Sequence, residues 1–174
     1  METIESYEED RSAMGRFSAW WVSWRLAFDY PFGVGFNISR PELFLKYSPY
    51  PEIGTPAAHS IYFQVLGHHG FVGLGLFLAI GVTTWVGAAR LRNETRQVPP
   101  AKWAHDLAGM CQTSLLGYAA GGAFLSLAYF DLPLYLMVLV VLTRQWVRRR
   151  AWEAEPQYAP GLRGAMGFAP ALVR

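Results

Sequence analysis

Residues 70–89, GFVGLGLFLAIGVTTWVGAA, constrain the fold more than any other stretch, because they contain no charged side chain. A helix of about 20 apolar residues is long enough to cross the ~30 Å hydrocarbon core of a bilayer. Basic residues follow directly, at Arg90 and Arg92. We therefore predict a membrane-spanning helix over residues 59–90.

Two later apolar segments predict two further spans. Residues 107–130 also lack charged side chains, and we predict a helix over residues 105–130. Residues 133–150 contain a shorter apolar run that ends in arginines, whose side chains can reach the headgroups. Charged residues make up 16% of the chain, against about 25% in soluble domains. The predicted class is an all-α membrane protein with three transmembrane helices.

Basic residues predict the orientation of these spans, since cytoplasmic loops are enriched in Lys and Arg. They follow the first and third apolar runs. Residues 91–104 are therefore predicted as a cytoplasmic loop and residues 151–174 as a disordered cytoplasmic tail. Residues 1–58 are then extracytoplasmic, in the periplasm of a Gram-negative cell. No apolar span precedes them, so we expect an N-terminal membrane half to be missing.

Residues 11–30 predict an amphipathic helix at the membrane–water interface. Tryptophan favours that interface, and apolar aromatic residues recur here at helical spacing: Phe17, Trp20, Trp21, Trp24 and Phe28. Arg25 and Asp29 stand one turn apart and predict an ion pair. Residues 31–58 are rich in proline and predict a loop. Within it, the capping-box spacing of Ser39 and Glu42 predicts a short helix.

Small residues along the predicted spans indicate close packing between helices. Gly67, Gly70 and Gly73 recur in the first span, and Gly117 and Gly121 stand four apart in the second. Small residues at such spacing let helix backbones approach each other. These helices are therefore expected to have helix partners.

His59 is the first candidate for chemistry, because it stands at the outer end of the first span. Histidine exchanges a proton near neutral pH, although a polar residue that meets interfacial water is the simpler interpretation. A metal site would also need His68 or His69, and His69 lies about 15 Å from His59 along a helix. No dense Asp, Glu and His cluster lies nearby, so no metal site is predicted.

Arg16 is the second candidate, as a group that binds an anion. A guanidinium binds phosphate oxygens bidentately and stays charged. Arg25 lies on the opposite face of the same helix and has Asp29 as its predicted partner. Arg16 has no carboxylate at i+3 or i+4, so it is freer to bind an external anion. A solvated helix face is the alternative interpretation.

Several motifs occur in one order along the chain. HSIYFQVLGHHGFVG fits the pattern H-[N/S]-x9-G-x-x-G, with His59, Ser60, Gly70 and Gly73. Upstream, DRSAMGRFSAWWVSWRLAFDYPFGVGF fits S-x-x-x-R…W…P-x-G-x-G. The combination resembles the O-antigen ligase/polymerase superfamily of bacterial membrane glycosyltransferases. EEDRSAMGR and GGAFLSLAYFDLP look most similar to the O-glycosylation ligases associated with exosortase A systems.

The resemblance implies a fold, a location and a reaction. It implies the C-terminal part of a longer, polytopic GT-C-like protein of the bacterial inner membrane, with residues 1–58 in the periplasm and the C-terminus in the cytoplasm. It implies transfer of a glycan from undecaprenyl diphosphate to a hydroxyl on a lipid or protein, without a metal or other cofactor. A second essential arginine of the family has no counterpart here, so this fragment alone is expected to be inactive.

The resemblance also implies roles for individual residues. Arg16 is expected to bind the donor diphosphate, His59 to act as base or to position the reacting groups, and Ser60 to contact substrate. His68 stands where relatives often carry an acidic residue.

Two alternatives stay open. The first is an O-antigen polymerase of the same superfamily, and the second is a non-catalytic membrane subunit. Expected partners are the lipid-linked donor, the acceptor, the bilayer, and the missing half or a partner membrane chain. No nucleic acid is expected.

Overall fold

The computed structural model describes residues 2–153, with side chains from residue 11 onward. The five α-helices of this range are α1 (Glu2–Asp29), α2 (Pro41–Tyr47), α3 (Ile61–Thr95), α4 (Lys102–Gly122) and α5 (Leu132–Arg148). Short 3₁₀ segments occur at Pro51–Ile53, Pro99–Ala101 and Ala151–Glu153. No strand occurs in the described range, in agreement with the predicted all-α class. The tail predicted as disordered lies outside this range from residue 154 onward.

Helix α3 is central to the fold, because it contacts α1, α4 and α5. It begins at Ile61, two residues after the start of the predicted first span, and continues beyond residue 90 to Thr95. Within residues 2–153 it is the one helix long and apolar enough to cross a membrane. Only 11% of its most apolar stretch is buried within the chain. Its apolar surface is therefore free to face lipid or further helices.

The second predicted span differs from the structure. Helix α4 ends at Gly122, so the prediction of a helix through residue 130 is wrong for residues 123–130. Helix α4 ends at two consecutive glycines, and glycine is unfavourable in the interior of a helix. The amide of Phe124 instead donates to the Gly121 carbonyl at 3.2 Å, within a series of tight turns. Helix α5 then begins with a proline in its first turn, a favourable position for that residue.

The predicted third span corresponds to α5. This helix has 17 residues, which gives a length of about 26 Å. A span of this length needs flanking arginines or local thinning of the bilayer. The arrangement of three spans, and their orientation, stay predictions.

Helix α3 is broken at Gly70, where φ is 64° and ψ is −164°. In a continuous helix, the His68 carbonyl would accept the amide of Val72, four residues later. Here the Gly35 amide donates to the His68 carbonyl at 3.0 Å, and the Val72 amide donates to the Pro31 carbonyl at 3.3 Å. The loop that follows α1 therefore enters the break, and its backbone forms hydrogen bonds with both the His68 carbonyl and the Val72 amide.

Two glycines permit this insertion of residues 31–35, the clamp loop. A Cβ atom on Gly33 would overlap the His68 carbonyl, and one on Gly70 would overlap the Pro31 carbonyl. Both glycines also have positive φ, at 81° and 64°, where side chains with a Cβ are disfavoured. The P-x-G-x-G stretch and the first glycine of G-x-x-G thus meet in the fold.

Residues 11–60 form a layer that packs beside the first part of α3. Its core consists of Ala19, Val22, Leu26 and Phe44. The aromatic residues Phe17, Trp21, Trp24 and Phe28 of α1 are 45–59% exposed. Such an exposed aromatic face is typical of a helix at a membrane interface. Helix α1 covers residues 11–29 of the predicted helix but begins earlier, at Glu2.

The predicted capping box is wrong. Helix α2 begins at Pro41, with Arg40 rather than Ser39 at the N-cap position and without a side-chain cap hydrogen bond. Proline favours the first helical position because its φ is already suited to a helix. The short helix itself is present and ends at Tyr47.

The glycines that were predicted to pack against other helices differ in their surroundings. Gly67 packs closely, since a Cβ atom there would overlap Ile38. Gly117 and Gly121 have no atom within 4 Å of an added Cβ. This second pair therefore faces open space within the described part of the chain.

If the clamp loop stabilises the fold, a substitution at a clamp-loop glycine should lower the free energy of unfolding more than one at a glycine that faces open space. Gly33→Ala should lower the free energy of unfolding by roughly 2 kcal/mol or more, because it adds backbone strain and overlap. Gly75→Ala is the matched control, since an added Cβ meets open space there. It should change stability by less than about 1 kcal/mol. If the two variants have the same free energy of unfolding in detergent micelles, the clamp loop does not stabilise the fold in this way.

Candidate active site

A cleft of about 410 Å³ lies between α1 and the loop that leads into α3. We call it the outer cleft. Its lining residues are Arg11, Ser12, Gly15 and Arg16 from α1 and Ile53, Pro56, Ala57 and His59 from the loop. The structure thus brings together Arg16 and His59, the two residues that the sequence patterns selected for chemistry.

Local packing explains why α1 and the loop meet at this place. Gly15 permits close approach, because an added Cβ would lie 3.3 Å from Pro56 Cβ. The indole Nε1 of Trp20 donates to the Ala58 carbonyl at 2.6 Å. The same indole ring stacks on Phe63 with 5.1 Å between ring centroids. These contacts fix α1 against the segment that carries His59.

The electrostatics of the outer cleft favour an anion. Arg11 and Arg16 both line it and are both exposed. None of the described lining residues carries a carboxylate, and neither arginine forms an ion pair with a side chain of residues 11–153. Guanidinium groups bind phosphate and carboxylate oxygens in a planar, bidentate geometry.

Sequence patterns did not select Arg11, because the predicted amphipathic helix began at that residue. Residues 11 and 15, and residues 12 and 16, stand at i,i+4 spacing and thus share one helical face. This i,i+4 spacing is the sequence feature that could have identified Arg11. It becomes informative only when α1 is known to continue toward Glu2.

His59 has an unusual backbone conformation, with φ at 45°. Positive φ is uncommon for residues other than glycine, and such strain is frequent at functional sites. The imidazole is exposed, and its Nδ1 lies 3.5 Å from the Ser126 hydroxyl oxygen. Ser126 belongs to the turns between α4 and α5, so these turns also contact the candidate site.

Ser60 follows His59 in the motif, but its surroundings differ from those of His59 and Arg16. It is 1% exposed and does not line the outer cleft. It occupies the N-cap position of α3, where its side chain forms no cap hydrogen bond. The geometry of the cleft gives no support to the predicted contact between Ser60 and substrate.

Arg25 lies away from the outer cleft, but its predicted ion pair is wrong. The Asp29 carboxylate accepts a hydrogen bond from the Tyr47 hydroxyl and lies 4.0 Å from Lys46 Nζ. Arg25 forms no ion pair within the described range. Helix α2 supplies these partners for Asp29, and the helical spacing of α1 alone could not predict them.

A second polar cluster lies at the break in α3. The Tyr129 hydroxyl is hydrogen-bonded to Nδ1 of His68 and lies 3.2 Å from Nε2 of His69. The ring of Phe36 packs against all three side chains. The cluster therefore links the residues after the clamp loop, α3 and the α4–α5 turns. Sequence patterns did not identify Tyr129, because it lies far from the histidines in the chain.

A comparison with protein families now adds to this geometry. The family model described as O-Antigen ligase matches residues 1–78. Residues 1–78 belong to the O-antigen ligase/polymerase superfamily. The matched range contains the outer cleft, the clamp loop and the break at Gly70. Together with the apolar helix α3, it indicates an integral membrane protein with glycosyltransferase-like activity.

No curated protein and no solved structure matches the chain. Among the side chains of residues 11–153, no group of three or more His, Cys, Asp or Glu is placed to hold a metal ion.

The Tyr129 hydroxyl is expected to stabilise the junction at the break. Tyr129→Phe removes its contacts with two imidazoles and should lower the free energy of unfolding by roughly 1–3 kcal/mol. Tyr135→Phe is the control, because Tyr135 is 63% exposed and forms no side-chain hydrogen bond to a described residue. If both variants unfold at the same denaturant concentration, the hydroxyl does not stabilise the junction.

Proposed function

We propose that the outer cleft is part of the active site of a membrane glycan ligase. The enzyme transfers a glycan from undecaprenyl diphosphate to a hydroxyl on a lipid or protein, and it is of the O-glycosylation type associated with exosortase A systems. One observation carries the proposal. Arg16 and His59 line the same cleft, near the start of the apolar helix α3.

The two arginines of the cleft bind the donor diphosphate. Glycan transfer breaks the bond between the anomeric carbon and the diphosphate oxygen, and the bonding electrons stay on that oxygen. Arg16, assisted by Arg11, stabilises the negative charge that develops there. Charges placed in advance at such a position usually make the largest contribution to catalysis.

His59 acts as the base for the acceptor. The acceptor oxygen forms a bond with the anomeric carbon from the face opposite the diphosphate, which inverts that centre. The hydroxyl proton moves to an imidazole nitrogen of His59 and later to water. Ser126, next to Nδ1, is placed to orient the ring so that Nε2 accepts the proton.

The membrane features of the chain suit a lipid-linked donor. In the proposed arrangement, the outer cleft lies at the level of the headgroups and α3 crosses the bilayer below it, which the exposed aromatic face of α1 supports. The cleft then faces the periplasm, on the side opposite the basic residues that follow the apolar part of α3. The diphosphate of a polyprenyl donor lies at that level while its chain stays in the hydrocarbon.

Further membrane helices complete the enzyme. The apolar stretch of α3 is only 11% buried, and Gly117 and Gly121 have no close neighbour in the described chain. Surfaces of this kind suit helix packing in lipid. The same features favour a second candidate, a membrane subunit that packs with a catalytic partner and has no activity of its own.

Substitutions in the outer cleft test the proposed reaction. Arg16→Ala and His59→Ala should each reduce glycan transfer by about 10²-fold or more, because they remove charge stabilisation and the base. Transfer from a polyprenyl-diphosphate donor is measured in membranes that contain the chain and its helix partners. Arg25→Ala is the control on the same helix, and it should leave the transfer rate close to that of the unsubstituted protein.

Immunoblots of the same membranes show whether each variant is inserted. Transfer at the normal rate by inserted Arg16→Ala or His59→Ala protein would overturn the assignment. A loss that occurs equally in all three variants would instead show a general defect in folding.

A further inference from the structure

A second polar cleft lies near the other end of α3. It has a volume of about 920 Å³ and is formed by the last turns of α3, the Pro99–Ala101 segment and the first half of α4. We call it the basic cleft, because Arg92, Arg96 and Lys102 line it. Neither the motifs of the chain nor the glycan-transfer reaction accounts for it.

The basic cleft has an excess of positive charge. Asp106 is its one acidic lining residue in the described range, against three cationic side chains. None of those cations has a carboxylate oxygen within 4.0 Å in that range. The carboxylate of nearby Glu94 is paired instead, at 2.6 Å from Arg144 and 3.9 Å from Arg148.

The polar groups of the basic cleft are held in place. Arg92 donates from Nη1 to the Gln112 amide oxygen at 3.1 Å, and Gln112 is only 8% exposed. His105 donates from Nδ1 to the Arg92 carbonyl at 3.0 Å. Its Nε2 is then available to a ligand. This framework orients one guanidinium before any ligand binds.

The basic cleft also lies at the edge of the apolar part of α3, which ends at Ala89. Aromatic clusters are typical of the membrane–water interface. Trp103, beside Lys102, is 5.0 Å from Trp146 between ring centroids, and Trp146 is 5.4 Å from Trp152. The cleft is therefore at the level of lipid headgroups.

We propose that the basic cleft binds the phosphate of an anionic phospholipid headgroup. Basic pockets between membrane helices are suited to such headgroups. The acyl chains of the lipid would continue along the exposed apolar surface of α3, which the described part of the chain leaves largely uncovered. The bound lipid ties α3 to α4 at this face of the membrane. This inference does not depend on the proposed glycan transfer.

The test measures lipid binding by native mass spectrometry of the whole purified chain in nonionic detergent. The double variant Arg96→Gln/Lys102→Gln removes two cations and leaves the Arg92–Gln112 contact intact. Phosphatidylglycerol should bind about 25-fold more weakly to it than to the unsubstituted chain, since each of the two charges contributes roughly 5-fold. The control is Arg90→Gln/Arg149→Gln, which removes two cations at the same end of the helices but outside the cleft. It should change binding only slightly.

Three results would overturn the proposal. Equal weakening by the control variant would show general attraction between charges rather than a site. Phosphatidylcholine that binds as tightly as phosphatidylglycerol would exclude selection for an anionic lipid. Inorganic phosphate that binds with the same dependence on Arg96 and Lys102, while the lipid does not, would assign the cleft to a soluble phosphate compound. Retained circular dichroism of the double variant shows that its fold is intact.

Discussion

The clamp loop determines how the outer layer meets the membrane helix. Its backbone groups take up the amide and the carbonyl that the break in α3 leaves without helical partners. An unsatisfied backbone group in lipid costs several kcal/mol, so a break of this kind is stable only where another segment supplies the hydrogen bonds. The break in α3 and the insertion of the clamp loop therefore depend on each other. Because α1 leads directly into the clamp loop, this junction also helps to fix α1 beside the start of α3.

The outer cleft follows from this arrangement. One wall is α1, which ends at the clamp loop, and the other is the loop that leads into α3. Arg16 and His59 therefore come from two segments that both connect to the broken helix. The superfamily match covers the cleft, the clamp and the break together. Gly70, which looks like a helix-packing residue in the sequence, thus has a different role: together with Gly33 it lets the backbone of the clamp loop enter the break in α3.

The sequence predicted the features that depend on local patterns. Apolar length and the absence of charge located α3, aromatic spacing located α1, and motif spacing selected Arg16 and His59. The break at Gly70 was not predicted, because it depends on hydrogen bonds with residues far away in the chain. For the same reason Tyr129 was missed and Asp29 was assigned the wrong partner. The end of α4 was misplaced because apolar residues continue beyond it, and hydropathy alone does not distinguish a helix from apolar turns.

In the proposed enzyme, Arg16 and His59 together bind a lipid-linked diphosphate in the outer cleft. The most direct measurement uses a polyprenyl-diphosphate sugar with a photoreactive group beside the diphosphate, bound to the protein in membranes. After irradiation, mass spectrometry locates the labelled peptides. Labels are expected within residues 11–16 and 53–59, and they should disappear when unmodified donor is added in excess. Labels that lie elsewhere, such as the basic cleft, or that persist with excess donor would contradict this binding site.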